Sequence, residues 1–177
     1  VHGLSFDFGS GADESATEGY TDINPLTTYT VSRGYGIEGS VKAEGTPSID
    51  NAESDYLSGD FTFKAKVTKG KHYRVKIAFS GDLVSEYVSE ALSGHERTLA
   101  AEGTTHTGYT VKTEEITEQV YDIPVVDDVM DLKFSGARVA YISIEKVEKT
   151  AAEKPNIWSV GDSTIGNSGS YAYNLAR

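Results

Sequence analysis

The chain has 177 residues and no cysteine, and its 27 acidic against 16 basic side chains give a formal charge of −11. That length suits one main domain, and the charge repels phosphate backbones and anionic membrane surfaces, so neither nucleic acid nor membrane is expected as a partner. The missing thiols exclude disulfides, thiolate metal sites and cysteine nucleophiles, and no stretch is long and apolar enough to span a bilayer.

Alternation with period two dominates the chain. "LSFDFG" (4–9) places Phe6 and Phe8 on one face and Asp7 on the other, where its carboxylate suits the Gly9–Gly11 turn better than a cation. "TTYTV" (27–31) and "GYGIEG" (34–39) follow as short strand-like pieces. Between and within them lie Tyr29, Arg33 and Tyr35, flanked by Gly34 and Gly36. Sugar recognition needs aromatic faces and polar forks; Tyr29 and Tyr35 supply the first, and the Arg33 guanidinium matches a uronate carboxylate. The competing reading packs both tyrosines in the core and pairs Arg33 with a surface acid.

"SIDNAESDYLSGD" (48–60) gathers Asp50, Asn51, Glu53, Asp55 and Asp60. Oxygen ligands at that density suit a hard cation, which makes Asp50, Asp55 and Asp60 candidate calcium ligands beside the alternative of a solvated acidic loop. "FTFKAKV" (61–67) and "YRVKIAF" (73–79) alternate cleanly and are joined by "TKGKH" with Gly70, so they predict a β-hairpin. Helical spacing arises in "DLVSEYVSEALS" (82–93), which predicts a short helix between strands. Arg97, in "GHERTLAAEG" (94–103), reads either as part of a charged strand edge or as a loop contact to a sugar. Pro124 limits "EQVYDIPV" (118–125) to an edge strand or a bend, and "MDLKFSG" and "ARVAYISIEKV" (130–147) supply two further strands. Many short strands with regular turns and almost no helix predict an all-β fold, an antiparallel β-sandwich over residues 1–147.

Past Val147 the composition changes. Residues 148–155 are charged and Ala-rich and end in Pro155, a linker by composition. "NIWSVGDSTIGN" (156–167) then runs from an apolar strand into a Gly-Asp-Ser turn, the way a parallel α/β domain opens.

Two resemblances attach to these stretches. Residues 156–167 resemble the first block of SGNH (GDSL-type) hydrolases, most nearly the rhamnogalacturonan acetylesterase branch, which implies Ser163 as nucleophile of the parent enzyme. His2, His72, His95 and His106 all precede Ser163 and none stands in an Asp-x-x-His pair. A serine without a base is a weak nucleophile, so no esterase activity is expected here, and residues 156–177 read as the truncated start of that catalytic domain. "FDFGSG" (6–11), residues 18–39, residues 59–82 and "LKFSGARVAYISIEKVE" (132–148) together resemble the galactose-binding-like or malectin-like jelly roll that precedes such esterase domains. The resemblance implies a non-catalytic carbohydrate-binding module of a secreted, extracellular plant-cell-wall esterase, with a pectic or hemicellulosic polysaccharide as partner. The candidate sugar-binding residues are Tyr29, Arg33, Tyr35, Asp82 and Arg97, and calcium, common in this kind of sandwich, is the candidate ion. The alternative is a domain that only buttresses the esterase.

Overall fold

The computed structural model describes residues 3–9, 17–45, 51–80, 98–102, 104–106 and 116–148. Its strands are β1 (Leu4–Phe8), β2 (Thr21–Ile23), β3 (Tyr35–Gly45), β4 (Asp55–Lys66), β5 (His72–Ser80), β6 (Thr98–Ala101), β7 (Thr104–His106), β8 (Ile116–Pro124) and β9 (Val129–Val147). No helix occurs among the described residues; the segment expected to form one, 82–93, lies outside them, as do residues 149–177.

The organising element is β9, 19 residues long. Its first half pairs antiparallel with β4 on one side and β6 on the other, from Lys66↔Val129 to Leu57↔Val139 and from Thr98↔Ser135 to Ala101↔Leu132. Its second half pairs with β1, from Leu4↔Ile144 to Asp7↔Tyr141, and with β5, from His72↔Val147 to Phe79↔Val139. β3 extends the ladder beyond β4, β8 extends it beyond β5, and β2 lies parallel to β1. The architecture is the expected all-β sandwich of jelly-roll type, antiparallel apart from that β1–β2 pair.

One hairpin is replaced by a corner. β4 and β5 do not pair with each other; they pair with different halves of β9. The intervening turn bonds elsewhere, Val67 N–H to Asp128 C=O at 2.9 Å and Gly70 N–H to Val125 C=O at 2.9 Å. Alternation reports only which face is buried, and both strands bury theirs in one core, so the pattern could not separate a hairpin from a corner. "TTYTV" is not a strand either: Thr28 alone bridges Ile37. β8 pairs with β5 and ends at Pro124, the edge position expected of it.

The two stretches expected as separate strands over 130–147 are continuous across a bulge. Register passes from Gly59↔Ala137 to Phe61↔Phe134, so Asp60 faces both Ser135 and Gly136. Gly136 takes φ 59°, and the Asp60 carboxylate accepts from Gly136 N–H at 2.7 Å and Ser135 Oγ at 3.2 Å.

The main core is aromatic at its centre. Phe63 lies 4.9 Å from Phe6 and 5.1 Å from Phe8, ring to ring, and Phe61 lies 4.9 Å from Phe134. A smaller apolar cluster of Ala52, Ala78, Ala140 and Tyr141, with Tyr20, Tyr56 and Ile116 against it, packs apart from this core.

At the β6–β7 turn Glu102 adopts φ 50° and accepts the Asp131 N–H at 2.9 Å. Burial, then the charges of Asp127 and Asp131, hold its carboxyl above the ordinary carboxylate range. The folded state therefore binds this proton more tightly than the unfolded chain. The associated penalty is present at neutral pH and disappears as pH falls through the folded pKa toward the unfolded value near about 4.3. Glu102→Gln keeps a carbonyl acceptor and removes the charge. The variant should melt higher than the parent at pH 7 and lose that advantage near pH 4, as followed by circular dichroism.

Candidate functional site

The loop between β2 and β3 is held by its own short-range bonds. Asn24 accepts Leu26 N–H on its side-chain oxygen at 2.9 Å and Thr27 N–H on its carbonyl at 2.9 Å, while its own N–H donates to Thr27 Oγ1 at 3.0 Å. Such Asx turns are what Asn provides ahead of Pro25. The chain then lies against the start of β3: Tyr29 N–H reaches Ile37 C=O at 3.1 Å and Ile37 N–H reaches Thr27 C=O at 2.8 Å. Gly36 permits this approach, since with φ 144° a Cβ there would stand 2.4 Å from the Tyr29 nitrogen. Gly34 N–H closes the loop on Thr30 C=O at 2.8 Å, and Gly34 C=O accepts Lys66 N–H at 2.6 Å.

This scaffold fixes two of the expected binding residues together at the surface. Tyr29 is half-buried, with Lys64 Nζ 5.7 Å from its ring centroid. Lys64 is held there by Glu38 at 3.2 Å and Asp131 at 3.8 Å, and the Glu38 bond leads in raising its pKa. Arg33 is exposed and donates from Nη1 to Thr28 C=O at 2.5 Å, which seats the guanidinium beside Tyr29 and leaves its other N–H groups to solvent. Leu26 and Val31 project from the same loop, 78% and 77% exposed. Tyr35 goes the other way: it packs on the core, 5.5 Å from the Phe6 ring.

The remaining expected site residues separate. Asp50, Asp82, Arg97 and Ser163 lie outside the described residues. Asp55 is buried at the start of β4, its carboxylate against Gly9, and Asp60 is exposed at the bulge. Five residues of extended strand hold those two roughly 16 Å apart, so they do not share one cation. Among the described residues no group of three or more His, Asp or Glu side chains could hold a metal ion. The calcium set of Asp50, Asp55 and Asp60 thus does not fit a single ion. Asp7 does cap a turn, but it is the far end of that loop, accepting Thr17 N–H on Oδ2 at 2.9 Å, with Oδ1 unpartnered among the described residues.

Two polar clusters escaped the sequence reading because each needs the strand register. Glu44 and Tyr56 are cross-strand partners. Glu44 accepts from Ser58 Oγ at 2.5 Å and Tyr56 hydroxyl at 3.2 Å, and Arg138 lies 3.9 Å from it and 5.4 Å over the Tyr56 ring. The Ser58 bond leads, ahead of Arg138, in lowering the Glu44 pKa. Tyr141 donates to Glu118 and stacks edge-on against Tyr20 at 5.9 Å; burial, then Glu118, pushes its hydroxyl pKa up. Glu118 also holds Lys76 at 3.3 Å.

No protein-family model matches the chain, and no curated protein matches it. Solved structures do. A Bacteroides uniformis beta-glucuronidase superposes with TM-score 0.59 at 14% identity, over 82% of this chain and 18% of that one. The plant receptor-like kinase ANX2 gives 0.57 at 10% identity, over 82% and 48%. The ANXUR1 extracellular domain from Arabidopsis thaliana gives 0.56 at 13%, over 82% and 42%. The chain thus spans less than half of each, and at these identities the likeness establishes the β-sandwich alone.

Proposed function

We propose that this chain is a non-catalytic carbohydrate-binding module of a larger secreted enzyme, binding pectic or hemicellulosic glycan weakly through the loop that carries Tyr29 and Arg33. The observation that carries the reading is the placement of that loop. Backbone bonds to Ile37 and Lys66 hold in one loop a half-buried aromatic ring and an exposed guanidinium that is bonded to the carbonyl just before that tyrosine. The ring can cover the C–H face of a pyranose, and the guanidinium can take a ring hydroxyl or a carboxylate. The sandwich also occurs within a beta-glucuronidase, which agrees with such a role without identifying a ligand. The resemblance of residues 156–167 to the first SGNH block makes the parent an esterase in this reading, with Ser163 a weak nucleophile unless a base is supplied to it.

The buttress reading has one observation in its favour: Tyr35 is packed against Phe6 and is not offered to a ligand. Calorimetry against pectic, rhamnogalacturonan and xylan oligosaccharides, in calcium and again in EDTA, separates the two. The parent should give saturable binding, and Tyr29→Ala should weaken it about fivefold, the usual worth of one aromatic contact. No heat with any glycan would leave the buttress. Serine-dependent turnover of p-nitrophenyl acetate would overturn the non-catalytic assignment.

A further inference from the structure

The formal charge of the chain is −11, yet three exposed cations lie on the loop that carries Tyr29 and on the β4 end and turn next to it. Arg33 is one. Lys66 is the second: its N–H donates to the Gly34 carbonyl at 2.6 Å, and its Cβ lies 3.4 Å from where a Gly34 Cβ would stand, so its stem runs along the same loop. Lys69 is the third, three residues further and therefore within about 10 Å of Lys66 along the backbone. All three are exposed, and none has an acidic partner among the described residues. Lys64, by contrast, is engaged by Glu38 and Asp131. Of the acids at this end, Asp127 accepts the Val129 N–H at 2.9 Å, and Asp128 stands by the turn as a counter-charge, its carbonyl bonded to Val67 N–H.

We propose that this end of the sandwich selects glycans that carry carboxylate groups, with Arg33, Lys66 and Lys69 reading the charge around the Tyr29 ring. The inference rests on the glycan-binding reading of that loop and names the substrate class for it. Cations without an acidic partner, on a chain of net negative charge, give an anionic polymer a local approach that is less repelled than the average of the chain. A polyuronate would meet the Arg33 fork with one carboxylate and the lysines with the next, while the rest of the surface discourages other orientations.

The test compares polygalacturonate with the same polymer fully methyl-esterified, which keeps the sugar rings and removes the charge. Calorimetry in about 20 mM and about 300 mM NaCl spans screening lengths from roughly 20 Å to roughly 6 Å. The parent should prefer the free acid by about three- to tenfold at low salt, a range expected of a few exposed ionic contacts, and the preference should shrink at high salt. Lys66→Gln with Lys69→Gln should cut the preference to the part that Arg33 alone supplies and leave affinity for the methyl ester unchanged, while Lys66→Arg with Lys69→Arg should retain it in full. Equal affinity for both polymers in the parent, or a preference that the glutamine pair leaves undiminished, overturns the inference while the module reading stands. Failure of both polymers and of neutral xylan to bind overturns the module reading as well.

Discussion

Replacing Phe63 by alanine should cost about 3–5 kcal/mol of unfolding free energy, the range for removing a buried phenyl ring from a packed core. Phe63 is 0% exposed, and its ring is met by Phe6 at 4.9 Å and Phe8 at 5.1 Å, both near perpendicular. In the ladder it is flanked by Ile37 on β3 and Leu132 on β9, also buried. The alanine therefore leaves a void walled by residues of three other strands, none of which can collapse inward without disturbing its own pairing. A domain of this class is stable by about 5–15 kcal/mol in total, so the variant should be near its unfolding limit at body temperature. Urea titration should show a lower midpoint with an unchanged slope. Thr62→Ala, one residue away on the opposite face, should change stability by less than about 0.5 kcal/mol. A Phe63→Ala cost below about 1 kcal/mol would show that the β1 and β4 rings do not form the core described.

The sequence disclosed faces better than partners. Alternation identified Phe6, Phe8, Phe61, Phe63, Val75, Ile77, Leu132 and Ile142 as inward residues, and all are buried. Strand order was not available in the same way. "TKGKH" has the composition of a hairpin turn, yet the bonds of its neighbours go to Asp128 and Val125, and the strands it joins divide β9 between them. A composition cannot distinguish two strands that share a core from two that share a ladder. The site shows the same division. Gly34 and Gly36 single out the segment that carries Tyr29, Arg33 and Tyr35, but nothing local says that Tyr35, two residues beyond Arg33, turns inward to Phe6. The density of acids over 48–60 suggested a cation, whereas extended backbone places Asp55 and Asp60 at separate points and gives Asp60 a bulge to cap. Glu44, Tyr56 and Arg138 come together only through the register of three strands.

Gly36→Ala should remove about 2–4 kcal/mol and, if the loop binds glycan as proposed, the affinity in the same step. The backbone there has φ 144°, which an L side chain rarely adopts, and the added Cβ would stand 2.4 Å from Tyr29 N and 2.6 Å from Thr28 C. Both obstacles are main-chain atoms, so no rotamer change relieves the contact. Residues 27–29 must lift from β3, breaking the Tyr29 N–H bond to Ile37 and the Ile37 N–H bond to Thr27. Two bonds at about 1 kcal/mol each, with about 1 kcal/mol of backbone strain, make up the expected cost. Arg33 anchors to Thr28 C=O, so its guanidinium would leave with the loop. Gly19→Ala is the control: φ is 86°, but nothing lies within 4 Å of the added Cβ, so it should cost only about 1 kcal/mol and leave binding intact. If Gly36→Ala lowers the melting temperature while glycan still binds as tightly as to the parent, the loop is a structural strap. The ligand would then have to be sought elsewhere, first at the half-buried Tyr56 with Arg138 over its ring.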